Sequence, residues 1–200
     1  MTIHSFMTDP KLPVLLSSRQ IQARIREMGE QISRDYPRGN LHLICILKGA
    51  CFFLTDLARA ITRDVFVDFM GISTYGKSKS SSGEVKVTKD LDISLEGADV
   101  LIVEDIVDSG VTLNYLMQLL LQRRPNSVRI ATLLDKPERR QRPVEVSYVG
   151  FRIPDKFVVG YGLDFAERYR NLDDICVLEE TGETLATSQE AGSFTTGPRR

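Results

Sequence analysis

Asp99-Val100-Leu101-Ile102-Val103-Glu104-Asp105-Ile106-Val107-Asp108-Ser109-Gly110-Val111-Thr112 is the stretch on which the fold turns. Its first half is an apolar run of strand length, the pattern of a parallel strand covered on both faces. Its second half is a turn that opens a helix. Glu104, Asp105 and Asp108 put three carboxylates within five positions of one strand end. Such crowding is tolerable where water, a cation, hydroxyl donors or a proton relieves it. Beyond them, the first backbone N–H groups of the helix have no intrahelical partners and can donate to an anion, aided by the helix dipole. Gly110 permits close backbone approach, and Ser109 and Thr112 add hydroxyl donors. The segment has neither the GxxxxGK[ST] nor the GxGxxG pattern, so a P-loop and a dinucleotide site are poorly supported. A ligand that suits both halves carries a phosphate with vicinal hydroxyls nearby, as ribose 5-phosphate does.

The segments on either side extend the pattern. Ser17 to Tyr36 reads as an amphipathic helix, with Ile21, Ile25, Met28 and Ile32 at helical spacing and a Ser17/Gln20 capping box. Leu41 to Leu47 reads as a strand, Ala50 to about Thr62 as a helix and Val65 to Ile72 as a second strand. Glu84 to Thr88 is expected to return as a strand, and a helix is expected from Ser109 to about Arg124. Ser127 to Leu134, Glu145 to Ile153, Phe157 to Gly160 and Ile175 to Leu178 read as further strands. Alternating strands and helices predict an α/β fold: an open, mainly parallel twisted sheet flanked by helices. Between the second and third strands, Gly76 to Gly83 is polar with nothing to bury, the composition of a lid or binding loop. From Thr181 onward the chain reads as a flexible tail.

Composition sets outer limits. At 200 residues, with 42% hydrophobic and 26% charged, the chain fits one core or one core with an appendage. The net charge of -1 supplies no global field for nucleic acid or an anionic membrane. Cys45, Cys51 and Cys176 form no CxxC pair, and with His4 and His42 they build no zinc-ligand spacing. Cys45 and Cys176 sit in apolar runs as small hydrophobes. Unpaired thiols suit a reducing compartment, and Met1 to Pro10 lacks the basic and apolar regions of a secretion signal. Leu41 to Leu54, the longest apolar stretch, is too short to span a bilayer. The expectation is a cytoplasmic protein.

The stretch Val100 to Thr112 resembles the phosphoribosyl-pyrophosphate signature of type I phosphoribosyltransferases. From roughly Leu41 to Leu178 the chain is similar to their hypoxanthine (6-oxopurine) branch. Leu47-Lys48-Gly49, Ser73-Thr74-Tyr75, Leu134-Asp135-Lys136-Pro137 and Ile153 to Asp164 match it in order. The resemblance implies one domain over 1–180, its core at about 41–155 and a small hood from about 1–37 and 156–180. It implies that Asp108 to Thr112 (Asp108, Ser109, Gly110, Val111, Thr112) hold the 5-phosphate. Glu104 and Asp105 would hold the ribose hydroxyls, directly or through Mg²⁺, and Asp108 would manage the proton at purine N7. Lys48 and Gly49 would meet pyrophosphate through backbone N–H groups across an unusual peptide bond. Lys136 would donate to purine O6, Phe157 would stack on the base and Val158 would read its edge. Asp164, beside the base, would hold a second Mg²⁺, and Arg170 would reach pyrophosphate. The loop from Thr74 to Val87 would close as a lid, with Tyr75 shielding the reacting ribose from water.

Taken alone, Lys136 reads as an exposed lysine, Phe157 as core, Lys48-Gly49 as a turn, and Asp164 and Arg170 as surface charges. Their order and spacing in one family pattern reverse this for Lys136, Phe157, Asp164 and Arg170. Arg139-Arg140-Gln141-Arg142 reads as a solvated loop or a subunit contact, and neither histidine receives a role. Val111 stands where some relatives carry lysine, which removes nearby positive charge but leaves a backbone phosphate grip. The implied activity joins hypoxanthine, and guanine, to phosphoribosyl pyrophosphate with Mg²⁺ in purine salvage, as a homodimer or homotetramer. Two rivals stand beside it: a nucleic-acid-binding regulator that senses phosphoribosyl pyrophosphate, and a transferase for xanthine, adenine or a pyrimidine. The near-zero charge and the missing helix-turn-helix oppose the first, and Lys136 opposes adenine.

Overall fold

The computed structural model describes residues 12–74 and 85–178. Tyr75, the centre of the expected lid, the side chain of Thr74, His4 and the tail from Thr181 lie outside the described residues.

The chain runs β1 (Val14–Leu16), α1 (Ser18–Asp35), β2 (Leu41–Leu47), α2 (Cys51–Ala60), β3 (Phe66–Thr74), β4 (Val85–Lys89), β5 (Asp99–Val107), α3 (Val111–Leu121), β6 (Ser127–Asp135), a 3₁₀ turn (Pro137–Arg139), β7 (Tyr148–Arg152), β8 (Val158–Val159) and β9 (Ile175–Val177). Six strands form a sheet in the order β4-β3-β2-β5-β6-β7. All its pairings are parallel except β3 with β4, which is antiparallel. This is the open, mainly parallel sheet that the sequence predicts. A second sheet, β1-β9-β8, joins the two ends of the described chain through antiparallel pairings.

The apolar run of β5 lies between β2 and β6, and Val100, Leu101, Ile102 and Val103 are fully buried. Because side chains alternate across a strand, Leu101 and Val103 pack with α1 and α2, while Val100 and Ile102 pack with α3. Helix α1 begins at a capping box in which Ser17 and Gln20 satisfy one another's backbone N–H groups. It buries Ile21, Ile25, Met28 and Ile32 against the sheet. Gly29 brings α1 onto α2: a Cβ there would stand 2.6 Å from the Ala60 backbone. Arg63 links the loop after α1 to α2 by donating to the carbonyls of Tyr36, Arg38 and Gly39.

Most boundaries shift by one or two residues, and those of α3 and β7 differ for reasons visible in the structure. α3 starts two residues later than Ser109 because Gly110 takes φ +77°, a left-handed conformation that cannot belong to a right-handed helix. It stops at Leu121, short of Arg124, whose φ of +56° turns the chain towards β6. β7 starts at Tyr148, paired with Ala131, so the residues from Glu145 that were expected to begin it lie outside the ladder. β1 was not anticipated. Its three residues are too few for a periodicity, and pairing with β9 decides their conformation.

Candidate active site

The carboxyl end of β5 places Glu104 and Asp105 on opposite faces of the sheet. Glu104 lines a cavity of about 170 Å³ beside the start of α3, and Asp105 lines a neighbouring one of about 570 Å³. The pleat therefore relieves part of the crowding that the sequence implied. Burial pushes the Glu104 carboxyl well up, and the nearby Asp105 charge pushes it further. Burial likewise raises Asp105 to about 6, against the pull of the Ile106 N–H, which donates to it at 2.7 Å, and of Arg170. Gly49 abuts Asp105 so closely that a Cβ would fall 1.8 Å from its carboxylate oxygen. The Leu47–Lys48 peptide just before it is cis.

Between β5 and α3, Gly110 is the N-cap of α3 and has no capping side chain; Ser109 Oγ accepts only from Val111 N, at 3.4 Å. The first turn of α3 thus presents donors without a strong side-chain cap to the small cavity, which Glu104, Asp108, Ser109 and Thr112 also line. The turn is gripped from outside by the segment after β6. Gln141 N and Arg142 N donate to Ser109 O at 2.9 and 3.1 Å, and Arg140 donates to Asp108 O at 2.7 Å. A Cβ on Gly110 would meet Arg142 O at 2.7 Å.

At Arg140 this corrects the reading of Arg139 to Arg142 as a solvated loop, while Arg139, Gln141 and Arg142 are exposed as expected. Arg140 is largely withdrawn from solvent and hydrogen-bonds the buried carboxylate of Asp135. Arg139 Nε lies 2.9 Å from Asp108 Oδ1 as an ion pair, and its guanidinium also reaches Asp155 at 3.3 Å. The usable signal in the sequence was Asp135, an acid closing an apolar strand. A buried acid requires a cationic or donor partner nearby, and with Lys136 assigned to the purine the arginine run is the next supply.

The larger cavity gathers Asp105, Asp108, Lys136, Phe157, Val158 and Asp164. Lys136 follows β6 and is 7% exposed; its Nζ donates to Lys156 O at 2.7 Å and lies 3.7 Å from Asp155. Phe157 is 50% exposed, its ring edge-on to Phe165 with centroids 5.7 Å apart, while Val158 is buried. An aromatic face half open at a cavity rim is a stacking platform in form. Asp164 pairs with Arg170 at 2.9 Å and accepts from Glu167 N. Arg170 also donates to Gly162 O at 2.8 Å, and its Nε is buried without a hydrogen-bond partner. Lys48 pairs with Glu167 at 3.2 Å, which joins the Lys48–Gly49 turn to the Asp164–Arg170 segment. Glu167, Asp155 and Arg139 escaped the sequence reading because their partners lie in other elements.

The described candidate residues therefore occupy one continuous region, an anion-receptive helix start beside a larger cavity with a buried ammonium. Among the described residues no three acidic, histidine or cysteine side chains converge as a metal cage. No helix among them is long and apolar enough to cross a membrane.

The chain is similar in sequence and fold to known proteins. Hypoxanthine-guanine phosphoribosyltransferase of Mycobacterium bovis is 55% identical over 172 residues, covering 83% of this chain and 85% of that one. The Bacillus subtilis protein of the same name is 51% identical over 166 residues, covering 83% and 92%. A solved hypoxanthine phosphoribosyltransferase from Staphylococcus aureus matches with a TM-score of 0.83 at 46% identity, over 87% of this chain and 97% of that one. Residues 15–166 match the family described as the phosphoribosyl transferase domain, and the chain belongs to that family.

Proposed function

We propose that the protein transfers the phosphoribosyl group of phosphoribosyl pyrophosphate to hypoxanthine and guanine, releasing pyrophosphate, as a cytoplasmic purine-salvage enzyme. The observation that carries this reading is the buried ammonium of Lys136 in the same cavity as Asp108 and Phe157, next to the open helix start at Ser109–Thr112.

The 5-phosphate sits on the backbone donors of Asp108 to Thr112 with the Ser109 and Thr112 hydroxyls. Glu104 and Asp105 accept from the ribose hydroxyls. The purine lies on Phe157, with O6 towards Lys136 and its edge on the backbone of Val158. Lys136 has only protons to offer, so it favours a 6-oxo group and disfavours a 6-amino group. As the base nitrogen bonds to C1 and pyrophosphate departs with the bonding pair, C1 inverts and Asp108 takes the proton from purine N7. Backbone N–H groups at Lys48 and Gly49, together with Arg170, receive the leaving pyrophosphate. Thr74 and Tyr75 belong to the lid in this reading.

The donor set suits Mg²⁺. Two carboxylates raised by desolvation form no close ion pair among the described residues, and Mg²⁺ is commonly held by one or two carboxylates plus substrate oxygens rather than by a protein cage. Glu104 and Asp105 would hold one ion beside the ribose and Asp164 a second, and Mg²⁺ would supply neutralisation of the pyrophosphate charge. The expected assembly is a homodimer or homotetramer.

An initial-rate panel of purine and pyrimidine bases with phosphoribosyl pyrophosphate and Mg²⁺ tests this function. Turnover of hypoxanthine and guanine with none of adenine is expected; a panel in which no base turns over refutes it.

A further inference from the structure

Behind the Lys48–Gly49 turn lies a half-buried polar cluster for which the proposed chemistry has no use. Asp56, on α2, accepts from the Tyr161 hydroxyl and from Gln22 Nε2 of α1, each at 2.5 Å, and from Arg59. Burial alone would raise the Asp56 carboxyl, but these three donors outweigh it and hold it below its usual range. Burial and the adjacent carboxylate raise the Tyr161 hydroxyl, so it remains a donor. Losing one of its three donors would leave this carboxylate under-satisfied, and the hydroxyl is the donor that belongs to the segment beside Gly49.

Tyr161 is buried, and its φ of +50° is uncommon for a bulky side chain. That conformation persists where its surroundings over-determine it. Tyr161 N donates to Leu172 O at 2.8 Å, and Gly162 N donates to Arg170 O at 2.9 Å. The next residue stands directly against the pyrophosphate turn: a Cβ on Gly162 would lie 2.2 Å from Gly49 O. Two residues further on, Asp164 enters the larger cavity. The side chain of Tyr161 thus ties to α2 the backbone that buttresses Gly49 and carries Asp164.

We propose that Tyr161 and Asp56 are positioning residues for the pyrophosphate side of the site. Their hydrogen bond seats Gly162 against Gly49, and this fixes both the Lys48–Gly49 backbone donors and the Asp164–Arg170 pair. The inference rests on the phosphoribosyl-transfer reading for its kinetic consequence, but not for its structural one.

Two measurements on the full chain test it, comparing wild type with Tyr161→Phe, which keeps the ring and removes only the hydroxyl. In amide hydrogen exchange without substrate, peptides spanning 48–52 and 160–164 should exchange faster by about tenfold, the scale of one lost hydrogen bond to a charged group. In steady-state kinetics, KM for phosphoribosyl pyrophosphate should rise by about tenfold while KM for hypoxanthine stays within about twofold. Asp56→Asn keeps one acceptor for the hydroxyl but loses the charge, so both measurements should move in the same direction by a smaller factor, about threefold. Unchanged exchange at 48–52 in Tyr161→Phe overturns the anchor. Faster exchange with equal changes in both KM values leaves only a packing role and overturns the positioning claim. If wild type turns over no base, the transfer reading fails separately, and the exchange result still decides the anchor.

Discussion

Asp105 carries opposing demands: it lies near the end of a buried strand, where charge is disfavoured, yet its proposed partners require a carboxylate. Its folded pKa of about 6 lies above the value of about 3.9 for an unperturbed aspartate. The folded state therefore holds more protons than the unfolded state between those values. This group's contribution to stability is full below about pH 4 and is lost as pH rises through about 6. Urea unfolding of wild type and Asp105→Asn across that window should show the variant gaining relative stability with rising pH; parallel curves would contradict the assignment. Asp108 makes a different prediction. Asp108→Asn preserves the backbone cradle, so phosphoribosyl pyrophosphate should bind within about threefold of wild type while turnover falls by roughly 10²–10⁴-fold. Single-turnover kinetics beside calorimetric binding separates the two. At this scale the sequence revealed acids, hydroxyls and a glycine at a strand end, enough for a sugar phosphate. The purine side was legible only through resemblance, because Lys136 and Phe157 reach Asp108 across the fold. Arg139 and Arg140 were missed because an arginine run looks solvated until the buried Asp135 beside it is given a partner.

Among the elements, the segment from Pro137 to Arg142 acts as a clamp on the phosphate turn, through the Arg140 guanidinium and the N–H groups of Gln141 and Arg142. Arg140→Met leaves Asp135 without its closest cation. The expected cost is about 3 kcal/mol of unfolding free energy, the lower end for breaking a buried ion pair, together with a raised KM for phosphoribosyl pyrophosphate. Denaturant unfolding and initial rates measure these separately. Ser17→Ala removes one half of the capping box that starts α1 and should cost about 1 kcal/mol with no change in either KM. Long elements were legible for a physical reason: α1 and β5 bury one face or both, so their patterns persist over many residues. The short ones were not. β1 has three residues and gains its strand geometry from β9, and α3 yields its first two expected positions to the left-handed turn at Gly110.

Over the whole molecule, the strand order puts β5 beside β2 and β6, so three strand ends converge: β2 brings Lys48–Gly49, β5 the acids and the phosphate turn, and β6 brings Lys136. Alternating strands and helices predicted a parallel sheet, but strand order depends on tertiary pairing and no local pattern encodes it. Phosphorus NMR of a reaction containing the protein, hypoxanthine, phosphoribosyl pyrophosphate and Mg²⁺ tests the central claim most directly. The expected result is one nucleotide 5'-phosphate formed for each pyrophosphate released, dependent on both the base and the metal. Pyrophosphate released without a matching nucleotide, or no change in the phosphorus spectrum, would contradict it.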